Sequence, residues 1–167
     1  MKTKAIPSQW LIKNGHRMDC NPYMGGAVEA RAILEKLACQ KQPLHELTAG
    51  YNGGIYNGPV FRRRYVDDPE YGVPFLTSGT MLRADLSDIS YLSKVDAKSN
   101  KLSYLELKPS MIMISCSGAI GNMVYVRGDM DGYWSCQDQL KVVADNDKVQ
   151  SGYLYAFLKS KYGLPIV

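Results

Sequence analysis

The chain has 167 residues, 46% hydrophobic and 22% charged, with a formal net charge of +4; it can bury a sizeable core, as one domain with a small appendage. Its apolar runs fall far short of the roughly 18 residues a membrane-spanning helix needs, and no signal-peptide core follows Met1-Lys2-Thr3-Lys4, so the expected setting is the cytoplasm, with no membrane. Cys20, Cys39, Cys116 and Cys136 form no Cys-x-x-Cys pair and have only His16 and His45 as imidazole partners, which argues against a zinc site and predicts reduced, mostly buried thiols.

From Ile6 to Pro22 the chain carries Trp10, Leu11 and Ile12 without a sustained period, as an extended opening segment would. Ala30, Ile33, Leu34 and Leu37 then recur at i, i+3, i+4 and i+7, opposite Glu29, Arg31, Glu35 and Lys36, which predicts an amphipathic helix over Gly26 to Ala38. Beyond Pro43, Leu44 to Leu47 leads into Thr48-Ala49-Gly50-Tyr51-Asn52-Gly53-Gly54, a loop with three glycines. Phe61-Arg62-Arg63-Arg64-Tyr65 follows, three guanidinium groups between two aromatic rings and just ahead of Asp67, Asp68 and Glu70. Arginines between aromatics suit phosphate contact or stacking on bases; equally, the adjacent acids can pair with them in a solvated ion-pair strip.

Val73 to Leu76 reads as a short strand ending in Thr77-Ser78-Gly79-Thr80, whose hydroxyls can donate to phosphates or close a turn, and Arg83 follows. Asp85 to Leu92 fits one or two helical turns, Val95 to Lys101 a polar loop with Lys94 beside it, and Tyr104 to Leu107 a strand stopped by Pro109. Met111 to Ile114, Met123 to Val126 and Leu140 to Ala144 are apolar runs separated by Gly-rich or polar turns, which predicts a β-meander. Its first connection, Ser115 to Asn122, is rich in small residues; its Gly-x-x-Gly spacing fits a bulged hairpin or a contact loop, and without a Lys-Ser/Thr ending it is no phosphate-binding P-loop. Tyr133-Trp134-Ser135-Cys136-Gln137-Asp138-Gln139 offers stacking faces and bidentate amides of the kind that read adenine, or an aromatic core contact with exposed amides. Asp147-Lys148-Val149-Gln150 has the form of a capping box for a final helix whose Tyr/Phe face should pack on the sheet, with Gly163 and Pro165 as its stop.

The order of these motifs resembles the target-recognition domain of a type I restriction-modification DNA specificity subunit. Four stretches carry the resemblance: His16 to Tyr23; Leu44-His45-Glu46-Leu47 with the Gly50 to Gly58 loop; Gly72-Val73-Pro74-Phe75-Leu76-Thr77-Ser78-Gly79; and Met111 to Gly121 with Gly152-Tyr153-Leu154 opening the following helix. The resemblance implies an α+β domain: an N-terminal helical segment, a central antiparallel or mixed β-sheet with recognition loops, and a C-terminal helix packed on the sheet. Residues 1–47 would form an N-terminal arm and helix, and 48–167 the recognition region. Such a domain reads one half of a split double-stranded DNA sequence for adenine methyltransferase subunits and a restriction subunit, without chemistry, cofactor or metal of its own. The family's subunits carry two such domains joined by long helices and this chain has room for one, so it is expected to be an isolated domain or a half-subunit, or one detached from a single-chain restriction-modification enzyme.

On this reading Arg62, Arg63, Arg64, Arg83 and Lys94 position the protein on phosphates with Tyr65 beside them, and Thr77, Ser78, Ser117, Asn122, Trp134 and Gln137 lie nearer the bases. Two other classes remain open. A metal-dependent nuclease would use Glu106 and Lys108 with an acid from Asp85, Asp88 or Asp96; a protein-interaction module would use the aromatic and apolar surface.

Overall fold

The computed structural model describes residues 3–13, 15–98 and 102–167; Lys101 of the expected polar loop lies outside them. The fold is α+β, and the chain divides into two compact units, 42–155 and 1–41 with 156–167.

In the smaller unit, α3 (Ala27–Lys36) realises the expected helix, while α1 (Ser8–Lys13) and the start of α2 (Asn21–Met24) are helical where an extended opening segment was expected. Tyr23 is buried, and its hydroxyl donates to the Arg17 carbonyl at 2.6 Å. Lys4 pairs with Glu29, holding that carboxyl below its usual range, and donates to the Tyr23 carbonyl at 2.9 Å. On α3 only Ala30 of the expected apolar stripe is buried, while Ile33 and Leu37 remain almost half exposed.

The larger unit holds two four-stranded sheets. The first has the order β1 (Ile55–Tyr56), β8 (Gln139–Val142), β5 (Ile112–Ser115), β6 (Met123–Tyr125), all antiparallel. The second has the order β2 (Tyr65–Val66), β4 (Tyr91–Ser93), β3 (Gly72–Leu76), β7 (Trp134–Ser135), with β3 and β7 parallel. The three apolar runs are therefore strands but not a meander: β8 pairs with β5 rather than β6. After β6 the chain leaves the sheet to form β7, then returns on the other side of β5, which is buried at every position.

Several local expectations change. Tyr104 to Leu107 is a 3-10 turn (Ser103–Leu105) followed by a single bridge from Glu106 to Trp134, because Leu105 and Leu107 point into two separate core clusters. Lys94–Ala97 is a helical turn, α4, where a loop was expected, and Asp85 to Leu92 ends in β4 rather than helix. The final helix, α5 (Ser151–Lys159), starts after the expected capping box; the Ser151 amide donates to Asn146 Oδ1 at 3.2 Å instead. It meets the first sheet through Tyr155, 5.6 Å from the Tyr125 ring, and through Ser151 Oγ, 2.8 Å from the Tyr125 hydroxyl; Tyr153 and Phe157 face outward. Only Cys136 of the four free thiols is buried.

Strand β3 organises the interior. Val73 and Phe75 join Leu92, Leu105 and Trp134 on one side, while Leu76 joins Met81, Leu107, Met113 and Met130 in the second cluster. Between its neighbours β1 and β5, β8 carries Lys141 opposite Tyr56 and Met113, and this lysine is wholly buried. Its ammonium donates to the Cys136 carbonyl at 3.0 Å, and burial pushes its pKa down to about 8.

Below pH 8 both folded and unfolded chains hold this proton and the buried charge costs stability in full. Between about pH 8 and 10.5 the folded side chain loses its proton while the unfolded one keeps it, so stability rises with pH. The unfolding free energy of the wild type should therefore gain about 1–3 kcal/mol on Lys141→Met between pH 7 and pH 10.5. Urea titrations at both pH values check this; a constant gap would contradict it.

Candidate nucleic-acid interface

The arginine strip lies in the connection between β1 and β2. Its three guanidinium groups have different surroundings because alternate residues of an extended chain face opposite sides. Arg63 faces inward. It lies 5.8 Å from the Phe61 ring and 5.5 Å from Phe75, donates to Gln137 Oε1, and approaches Asp138 Oδ2 at 3.7 Å. Arg64 forks onto Asp96, Nε to Oδ2 at 3.0 Å and Nη2 to Oδ1 at 2.8 Å, and this bond holds the Asp96 carboxyl below its usual range. Arg62 is exposed and makes no hydrogen bond or ion pair among the described residues. Tyr65 is half exposed, its ring edge-on to Phe75 at 6.1 Å. The acids that pair with the strip come from Asp96 and Asp138, and the Asp68 carboxylate instead accepts from the Glu70 amide.

The turn from Cys136 to Gln139 meets this strip. Besides its bond to Arg63 through Gln137, its Asp138 carbonyl accepts from the Cys116 amide at 2.8 Å, which fixes the start of the hairpin turn between β5 and β6. That turn is closed by the Ser115 amide on the Asn122 carbonyl, 2.8 Å, and the Gly121 amide on the Ser115 carbonyl, 2.9 Å. Gly118 and Gly121 take φ of 70° and 83°, where a side chain would be strained. Residues 116–120 are exposed, Ser117 among them, and Asn122 is half-buried at the base. Arg63, Gln137, Asp138 and the turn bearing Ser117 and Asn122 are thus linked by contacts in series, with Arg62 and Arg64 attached to them as chain neighbours of Arg63.

The other expected residues lie differently. Thr77 also borders the Cys136 turn, since Leu76 pairs with Ser135, but its hydroxyl is used locally: Thr77 Oγ1 and Thr80 Oγ1 are 3.2 Å apart, and the Thr77 amide donates to Thr80 Oγ1 at 2.9 Å. Ser78 Oγ is buried without a partner among the described residues, so it does not face a surface phosphate. Arg83 donates to the Asp88 carbonyl at 3.3 Å within its own loop. Lys94 donates to the Glu70 carbonyl, near the Gly72 end of β3 and away from Thr77. Of the two readings of Trp134 the structure takes the core contact: at 3% exposure its indole belongs to the cluster with Phe75 and Leu105 and presents no open stacking face.

The residues expected of a nuclease do not converge. Glu106 lines a cleft of about 300 Å³ with Lys98, Ser103 and Trp134, but its carboxylate pairs with Lys108 at 2.7 Å. Asp96 is held by Arg64, and Asp85 accepts from the Ser87 amide at 2.9 Å. No group of three metal-ligating side chains occurs among the described residues.

Sequence reasoning missed Asp138 and Asp96 as partners and the supporting role of Arg63. Nothing local signals them, because Arg63 and Gln137 are 74 positions apart. Arg63→Ala should cost about 1–3 kcal/mol by leaving half-buried polar groups unpaired, whereas Arg62→Ala should stay within about 0.5 kcal/mol; chemical denaturation of both variants checks the difference. Compared with known proteins, the chain matches no family model and no curated sequence.

Proposed function

We propose that this protein recognises double-stranded DNA sequence-specifically, reading one half of a bipartite site as the non-catalytic component of a type I restriction-modification complex. Its partners would be the adenine methyltransferase and restriction subunits, and its setting the cytoplasm. One observation carries the reading: Arg63 ties the arginine strip, through Gln137 and Asp138, to the hairpin turn bearing Ser117 and Asn122. The polar loop is thereby fixed to the length of chain that carries the exposed Arg62, which suits a protein that positions on phosphates with one and reads base edges with the other. The net charge of +4 has the right sign for such a partner.

The roles divide accordingly. Arg62 contacts phosphate. Arg63 holds the loop and Arg64 braces α4 through Asp96, so neither is free to serve DNA without giving up a partner. Ser117 and Asn122 are the base-proximal groups, on a turn whose small residues allow close approach of the backbone.

Selection from a randomised duplex library at low salt should recover a short fixed motif. Arg62→Ala should weaken binding to all sequences alike and lower the slope of log affinity against log salt by about one. Asn122→Ala should instead cost about 1–3 kcal/mol at one base position. Failure to enrich any sequence, with no salt-dependent retention, would overturn the proposal; magnesium-dependent cleavage would turn attention to Glu106.

A further inference from the structure

Three tyrosines outside the expected interface form a cluster in the larger unit. Tyr51 and Tyr104 stack with ring centroids 4.1 Å apart and an interplanar angle of 8°. Tyr56 meets both edge-on, at 5.1 Å and 5.8 Å. Tyr104 packs on the core cluster that contains Phe75 and Leu105, which makes Tyr51 the outer ring of the stack. One face of Tyr51 is covered by Tyr104 and one edge by Tyr56, yet 53% of the residue is exposed. The exposed area therefore includes its outer π-face.

The turn that carries Tyr51 is built to hold it still. Gly50, Asn52, Gly53 and Gly54 have φ of 102°, 47°, 72° and 83°. Thr48 Oγ1 donates to the Gly53 carbonyl at 2.7 Å and Asn52 Nδ2 to the Ile55 carbonyl at 3.3 Å. Backbone bonds from Ala49 to Val143, 3.1 Å, and from Val143 to Gly54, 2.8 Å, clamp the turn to the strand end. A Cβ on Gly54 would stand 2.6 Å from the Ala49 backbone, so only glycine fits there. Such a run of left-handed residues persists only where its surroundings over-determine it, a device typical of ligand clamps. The ring is thus presented with little motion to lose on binding.

The neighbouring chemistry narrows the ligand. Phe61 packs on the same core cluster as Tyr104, and the next residue is Arg62, the exposed guanidinium without a hydrogen bond or ion pair among the described residues. A fixed, outward aromatic face suits the stacking of a planar base, with Arg62 carried on the same compact unit as a contact for the attached phosphate. We infer that Tyr51 is a stacking platform for an unpaired nucleobase, either extruded from a duplex or in a single strand. The inference rests on the DNA-binding reading above and adds to it a preference for DNA with an unstacked base, since a fully paired duplex buries its π-faces.

Fluorescence anisotropy with three labelled DNAs tests it: a fully paired duplex, the same duplex carrying one extrahelical adenine, and a mixed-sequence single strand. The wild type should favour the second and third. Tyr51→Leu, which keeps apolar bulk on Tyr104, and Tyr51→Ala should weaken binding to these two roughly 5- to 150-fold while leaving the paired duplex unchanged, and Tyr51→Phe should behave as wild type. Equal loss on all three DNAs would mark Tyr51 as structural, and no loss on any would remove its contact; either overturns the inference. Loss on all three DNAs from Arg62→Ala with no loss on any from Tyr51→Leu or Tyr51→Ala would overturn the platform alone, whereas absence of binding to any of the three DNAs would overturn the DNA reading as well.

Discussion

The turn from Cys136 to Gln139 is the point on which the larger unit depends. It joins β7 of one sheet to β8 of the other, so both sheets are positioned by its shape. Its polar groups are held from several directions: Lys141 on the Cys136 carbonyl, Gln139 Oε1 on the Cys136 amide at 3.1 Å, and Arg63 on the Gln137 side chain. Burying an ammonium to hold one carbonyl is expensive. The ammonium is the nearer of two donors to that carbonyl, the other being the Gln139 amide at 3.4 Å. The same buried environment pushes the Cys136 thiol up in pKa, so this cysteine is a packing group rather than a nucleophile.

That arrangement divides the basic residues by duty. A run of three arginines reads as one electropositive feature, but the fold spends two of them internally, on Gln137 with Asp138 and on Asp96. Arg83 and Lys94 likewise brace backbone carbonyls of their own surroundings. Of the five basic residues expected to contact phosphate, Arg62 alone makes no hydrogen bond or ion pair among the described residues. On the proposed DNA reading, so small a contact surface would bind weakly by itself and gain affinity from a second module on the same DNA, as linked binding sites do.

The sequence made the long apolar strands legible and little else of the sheets. β3, β5 and β6 fall where Val73 to Leu76, Met111 to Ile114 and Met123 to Val126 placed them, because buried strands need continuous apolar side chains; β8 overlaps the run Leu140 to Ala144 although it also buries Gln139 and Lys141. β1, β2 and β7, two residues each, leave no period to detect. The alternation at Tyr104 to Leu107 misled because Leu105 and Leu107 serve different clusters from an irregular segment. At the site, the hairpin turn and its glycines were readable from local chemistry. For Trp134 local chemistry left a stacking face and a core contact both open, and the choice follows from the pairing of β7 with β3 some sixty positions earlier in the chain.

The short strands have a further meaning at the margins of the sheets. The first sheet ends on β1 and β6, the second on β2 and β7, and none of these is longer than three residues. An outer strand of that length presents few unpaired backbone groups to another chain, so neither sheet is easily extended by a neighbouring molecule. The protein is thereby guarded against edge-to-edge aggregation, and whatever it binds must be recognised by side chains and loops rather than by the addition of a strand.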